Sequence, residues 1–266
     1  MIYKNYIKTK MKTSKIKKFN FIEWNNDIFV SSIKKIDISI ILILVLDALF
    51  YFLSGYLIMF WLQRIQAKMS AFNLPTDVVS LGYERAQLLV SNVKSFYYLI
   101  IFSFILVCIA IIFLASILKG IIWAKTTKTK ISSTLISKFL GLNLIWMSFW
   151  FLAVFLISWL VQPASAPTFM MITIILGLYF TNTLYTLFMK KQNFKSILSA
   201  VKLNIVRIHL FLLPYLIIIL LSFIMLRLSN FLKFSYSTVF LGFILLVYVA
   251  VVRYYISALV VEIEKL

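Results

Sequence analysis

Six stretches of about 20 apolar residues recur along this chain, and each has the length an α-helix needs to cross roughly 30 Å of hydrocarbon. They cover 38–62, 96–118, 139–161, 168–189, 208–227 and 237–261, and the second holds no charged residue. Strands of a membrane barrel would be shorter and would alternate polar with apolar side chains, which none of these stretches does. The expected fold is therefore all-α: a polytopic integral membrane bundle of six transmembrane helices, with short amphipathic helices at the cytoplasmic interface. Composition points the same way, since 63% of the 266 residues are apolar and only 13% charged. A single soluble core has no room for that apolar surface.

Three parts are expected: a basic segment 1–37 with an interfacial helix, a six-helix domain 38–261 with an external loop at 63–95, and a short tail 262–266. The 38–62 stretch is too long for the core of a cleavable leader and is read as a mature helix. Between the third and fourth stretches lies only Gln162-Pro163-Ala164-Ser165-Ala166-Pro167, whose prolines end one helix and permit the next, so a tight hairpin is expected.

Charge sets the orientation. Of 27 Lys and Arg residues, 21 fall in segments that would share one side of the membrane with both termini, and 6 on the other. By the positive-inside rule both termini are cytoplasmic, and the expected location is the cell membrane. The formal charge of +19 would suggest nucleic acid in a soluble protein. In a membrane chain the fitting partner is a bilayer with anionic headgroups, with a protein partner or homo-oligomer beside it and no nucleic acid. The single cysteine, Cys108, excludes an intrachain disulfide and a cysteine-based metal cluster.

Short amphipathic stretches precede the first, third and fifth spans. In 193–207, Phe194, Ile197, Leu198, Val201 and Ile205 recur at helical spacing opposite Lys195, Ser196, Ser199 and Lys202, with Asn193 as N-cap. Before the third span, Ser132 or Ser133 is the cap. Before the first, Asp27 is the expected cap, with Phe29, Ile33 and Ile36 facing Ser31, Ser32, Lys34 and Lys35. The junctions around Ser39, Asn143 and Asn204 each set a polar residue between aliphatics, which would make the chain three copies of one unit. In the external loop, Leu74-Pro75-Thr76-Asp77 reads as a turn and cap ahead of a helix carrying Val78, Leu81, Arg85, Leu88 and Val93.

Ionisable groups within such spans are costly and come first as candidates for a site. Asp47 lies nine residues into the first span and Arg253 eight from the end of the last, which at 1.5 Å per residue places them about 14 and 12 Å deep. Matched depth predicts an ion pair between the first and last helices. Asn143, Asn182 and Tyr254 lie toward the same half and would hydrogen-bond between helices, or line a cytoplasm-facing polar cavity together with the pair. His209 reads as an interfacial polar residue.

Reactive constellations are lacking: the sequence holds no His-Glu-x-x-His, Gly-x-Ser-x-Gly, Walker or dinucleotide motif. A second carboxylate near Asp47 is also missing, so no catalytic residue, metal or cofactor is expected. The leading reading is a non-enzymatic membrane scaffold or the membrane subunit of an assembly. The alternative is a small transporter or permease for a solute or lipid that uses the polar cavity.

Overall fold

The computed structural model describes residues 21–70, 82–228 and 236–266. Eight α-helices are present among them: α1 (Phe21–Lys34), α2 (Ser39–Ser70), α3 (Gly82–Thr126), α4 (Ser133–Leu160), α5 (Ala166–Lys191), α6 (Ser196–Val206), α7 (Ile208–Leu228) and α8 (Ser237–Lys265). Six of these, α2, α3, α4, α5, α7 and α8, are long and apolar enough to cross a membrane. The fold is an all-α bundle of a multi-pass membrane protein, built from antiparallel pairs α2/α3, α4/α5 and α7/α8.

Helices overrun the apolar windows that mark them. Residues 63–70 continue α2 and residues 82–95 already belong to α3, so the expected external loop is largely helical. A hydropathy window stops at the first charges, whereas a helix continues through any residues with adequate propensity. The turn and cap expected at 74–77, together with Val78 and Leu81, lie outside the described residues.

Local chemistry explains several ends. Ser132 caps α4, its hydroxyl accepting the Leu135 N–H at 3.1 Å. The hairpin after Leu160 closes where the Ala166 N–H donates to the Gln162 carbonyl at 3.0 Å, and a proline sits in the first turn of α5. Asp37 opens α2 by accepting the Ser39 N–H at 3.0 Å, and its carboxylate lies 3.3 Å from Lys128. The Ser39 hydrogen bonds, then Lys128, hold its carboxyl below the ordinary carboxylate range. That small contribution to stability is present above the ordinary carboxylate pKa and is lost as pH falls through the lowered one.

The three amphipathic stretches do not share one structure. Separate helices α1 and α6 precede α2 and α7, but the stretch before the third span is simply the first turns of α4. Asp27 lies within α1 and is not its cap. Asn193 accepts the Lys195 N–H at 3.0 Å, just ahead of α6.

On α1 and α6 the residues packed against the bundle are not the bulky apolar ones. Asn25, Ile28 and Ser32 are the buried stripe of α1, whereas Phe29 and Ile33 are exposed. On α6, Ser196, Ala200 and Asn204 are buried while Leu198 and Ile205 are exposed. Both helices press a stripe of mostly small or polar residues against the bundle, which lets the backbones approach closely, and leave bulky aliphatics outward.

Burial is concentrated at one end of the bundle. The core runs through Trp123, Phe139, Leu142, Leu184 to Met189, Phe211 and Ile256 to Val260, the end away from the hairpin tips. Toward the tips the helices uncover: Phe52, Phe102, Phe155, Ile174 and Phe243 are exposed, and a Cβ added at Gly55 or Gly242 would meet nothing within 4 Å.

Candidate functional site: a buried ion cluster and two hydrogen-bonded nodes

Asp47 sits on the inward face of α2, where its side chain has no exposed surface. Arg253 of α8 meets it with a two-pronged fork, Nη1 to Oδ2 at 2.9 Å and Nη2 to Oδ1 at 3.1 Å. This planar pairing is the strongest available to a carboxylate. A third group completes the cluster: Lys119 of α3 donates from Nζ to Asp47 Oδ1 at 2.6 Å.

Lys119 was not among the residues picked from the sequence, because it ends the second apolar run and counts there as a boundary charge. The apolar continuation Gly120-Ile121-Ile122-Trp123-Ala124 is the signal that α3 goes on and carries Lys119 inward. Its side chain is only 14% exposed.

Two cations thus share one buried anion. Aromatic faces take up part of the excess: Lys119 Nζ lies 4.5 Å from the Phe50 ring centre and 4.7 Å from that of Tyr51, and the Arg253 guanidinium is 5.8 Å from Trp123. The cluster joins α2, α3 and α8.

Asn143 belongs to a second node. Its Oδ1 accepts the Tyr185 hydroxyl of α5 at 2.6 Å, and its Nδ2 donates to Ser116 Oγ of α3 at 3.0 Å. Ser116 passes its own proton to the Ile112 carbonyl at 2.6 Å. One amide therefore ties α4 to both neighbours, at a position with no solvent exposure. Asn143→Ala is expected to lower the melting temperature of the detergent-purified protein by several degrees, since it leaves the Tyr185 hydroxyl without its acceptor and Ser116 with only its bond to the Ile112 carbonyl. Two interhelical hydrogen bonds in a membrane protein are worth roughly 1–3 kcal/mol together.

Asn204 of α6 anchors a third node. Its Oδ1 accepts from Thr183 of α5 at 2.8 Å and its carbonyl from the Tyr179 hydroxyl at 2.9 Å. Asn182 lies apart from Asp47 and donates to the Tyr215 hydroxyl at 3.5 Å. Tyr254 packs in an apolar cluster with Ile43, Ile122 and Ala250, and its hydroxyl has no hydrogen-bond partner among the described residues. Of the expected polar residues, Asp47 and Arg253 are paired, Asn143 and Asn182 belong to other hydrogen-bonded groups, and Tyr254 packs on the same three helices as the pair without a hydrogen bond to it among the described residues. His209 is exposed at the start of α7.

Trp123 bridges the first two nodes. One face receives Arg253, while its ring meets Tyr185 edge-on at 5.7 Å. Phe139 packs on the same tyrosine at 4.8 Å and on Phe188 at 5.7 Å, so charge cluster, amide node and aromatic core form one continuous block. Its three ionisable groups are engaged with one another, two cations on one carboxylate, and no three His, Cys, Asp or Glu side chains gather as a metal site among the described residues.

Compared with models of protein families, with curated proteins and with solved structures, the chain matches none.

Proposed function

We propose that this protein is a non-enzymatic membrane scaffold, or the membrane subunit of a larger assembly, placed in the cell membrane with both termini cytoplasmic. The packed end then lies at the inner leaflet, where the Lys-rich segments meet anionic headgroups. The observation that carries this reading is the ion cluster. Asp47 is fully covered and engaged by both Arg253 and Lys119. A carboxylate so occupied is suited to fixing helix register rather than to cycling a proton or a solute. The uncovered apolar helix faces toward the hairpin tips meet lipid and leave room for a partner subunit or a second copy beside them.

The test is extraction of the tagged full-length protein in mild detergent, followed by cross-linking and mass spectrometry. A scaffold yields a second protein, or a second copy, in fixed ratio, with cross-links on the tip halves of the helices. A permease instead yields a lone monomer whose solute or lipid uptake into proteoliposomes is abolished by Asp47→Asn while the protein stays folded; that result would overturn the proposal. Reporters fused to each terminus check orientation separately, and the expected result places both in the cytoplasm.

A further inference from the structure

A groove of about 610 Å³ opens on the outer side of the packed end, between α3 and the start of α4. One end of it carries the hydroxyls of Ser132, Ser133 and Ser137, interspersed with Ile131 and Ile136; the other is wholly apolar, formed by Phe113, Ile117 and Leu140. Three features of this groove point to a single kind of occupant.

Its length and gradient come first. From Ser132 to Leu140 the groove follows α4 for about 12 Å, at 1.5 Å per residue. Over that distance the lining passes from hydroxyls set among isoleucines to hydrocarbon alone, the same order in which a phospholipid passes from phosphate to acyl chain.

Its charge comes second. Lys130 and Lys138 adjoin the polar end, both exposed, and neither is engaged in an ion pair among the described residues. By contrast, Lys128, Lys190 and Lys191 at the same end of the bundle are held by Asp37 or Glu264. The two lysines beside the groove remain open to an external anion.

The third is the way the groove is walled. A Cβ at Gly120 would lie 3.0 Å from Ile136 Cδ1 and 3.1 Å from Phe139 Cδ1, so these α4 side chains sit directly on the α3 backbone there. Ile136, which lines the groove, is seated against that glycine and walls the groove at this level.

We infer that this groove is a binding site for one anionic phospholipid, its phosphate at Ser133, Ser137, Lys130 and Lys138 and one acyl chain along Ile117, Leu140 and Phe113. The inference rests on the proposed contact of the packed end with an anionic leaflet, but needs no partner subunit.

Native mass spectrometry of the full-length protein in mild detergent, titrated with phosphatidylglycerol and in parallel with phosphatidylcholine, tests it. Wild type retains one phosphatidylglycerol in preference to phosphatidylcholine. The double variant Lys130→Gln/Lys138→Gln loses roughly tenfold to thirtyfold of that affinity, the expectation for two lysines near an anionic headgroup. Ile117→Trp, which fills the apolar end, lowers retention of both lipids. A control on α6, Lys195→Gln/Lys202→Gln, removes the same charge and leaves retention unchanged. Equal loss in the α6 control would show diffuse surface attraction and overturn the site, as would full retention in the groove variants. Because lipid retention is read on the purified chain, its failure is separable from absence of a partner.

Discussion

Asp47→Asn is expected to be more damaging than removal of either cation that faces it. The substitution leaves Lys119 and Arg253 against the same buried oxygen position with no anion between them. Losing one member of a buried pair costs about 3–5 kcal/mol, chiefly through the uncompensated charge that remains. Two remaining cations put the variant at the upper end of that range, and folded yield should fall accordingly. Arg253→Met leaves Asp47 paired with Lys119 and is expected to cost less. Lys119→Met leaves the two-pronged Arg253 pair and an electrically neutral cluster, so its effect is near zero or stabilising. The check is the monomer peak in size-exclusion chromatography after heating, with the expected order of melting temperature Lys119→Met highest, Arg253→Met next and Asp47→Asn lowest. The charge swap Asp47→Arg/Arg253→Asp restores folded yield, provided Lys119 reaches the relocated carboxylate. Adding Lys119→Met to the swap isolates the pair, and failure to rescue in that background would remove the register role.

The second large effect belongs to Phe139. Its side chain is fully buried, with Tyr185 and Phe188 packed on it and the Gly120 backbone beneath. Phe139→Ala opens a cavity at the junction of α3, α4 and α5, a loss of about 3–5 kcal/mol for a large buried aromatic. Phe155, four turns further along the same helix, is 63% exposed. Phe155→Ala is expected to leave the melting temperature within a degree or two, because an exposed position near the tips loses few packed contacts. Equal sensitivity at the two positions would contradict the concentration of packing at one end.

Much of the fold is legible in the amino-acid sequence. Apolar runs of spanning length admit few alternatives once backbone polarity is considered, and the six long helices follow from that. Asp47 and Arg253 stood out because each is an ionisable group surrounded by hydrocarbon, and equal distance from a boundary is a one-dimensional quantity that a sequence contains. Lys119 was lost for the complementary reason. It borders an apolar run, and only the fact that α3 continues past it puts its ammonium group inside.

Rotation about a helix axis was harder to read. On α1 and α6 the bulky aliphatics mark one face, but the pattern does not say which residues meet the bundle, and these prove to include Ser32, Ser196 and Asn204. In lipid the usual rule loses its force, since an aliphatic side chain gains little by leaving hydrocarbon for protein, while a small or hydrogen-bonding one gains closer contact. Tyr255 donates to Asn25 at 3.2 Å and Thr183 to Asn204 at 2.8 Å, and partners of that kind are set by tertiary neighbours that no local pattern names. The placing of Asn143 and Asn182 away from the Asp47 and Arg253 pair has the same origin.

Burial at one end and exposure toward the other divide the labour between protein and solvent: the packed end takes its order from its own side chains, whereas the described side chains nearer the tips, such as Phe102 and Phe155, take theirs from the surrounding lipid.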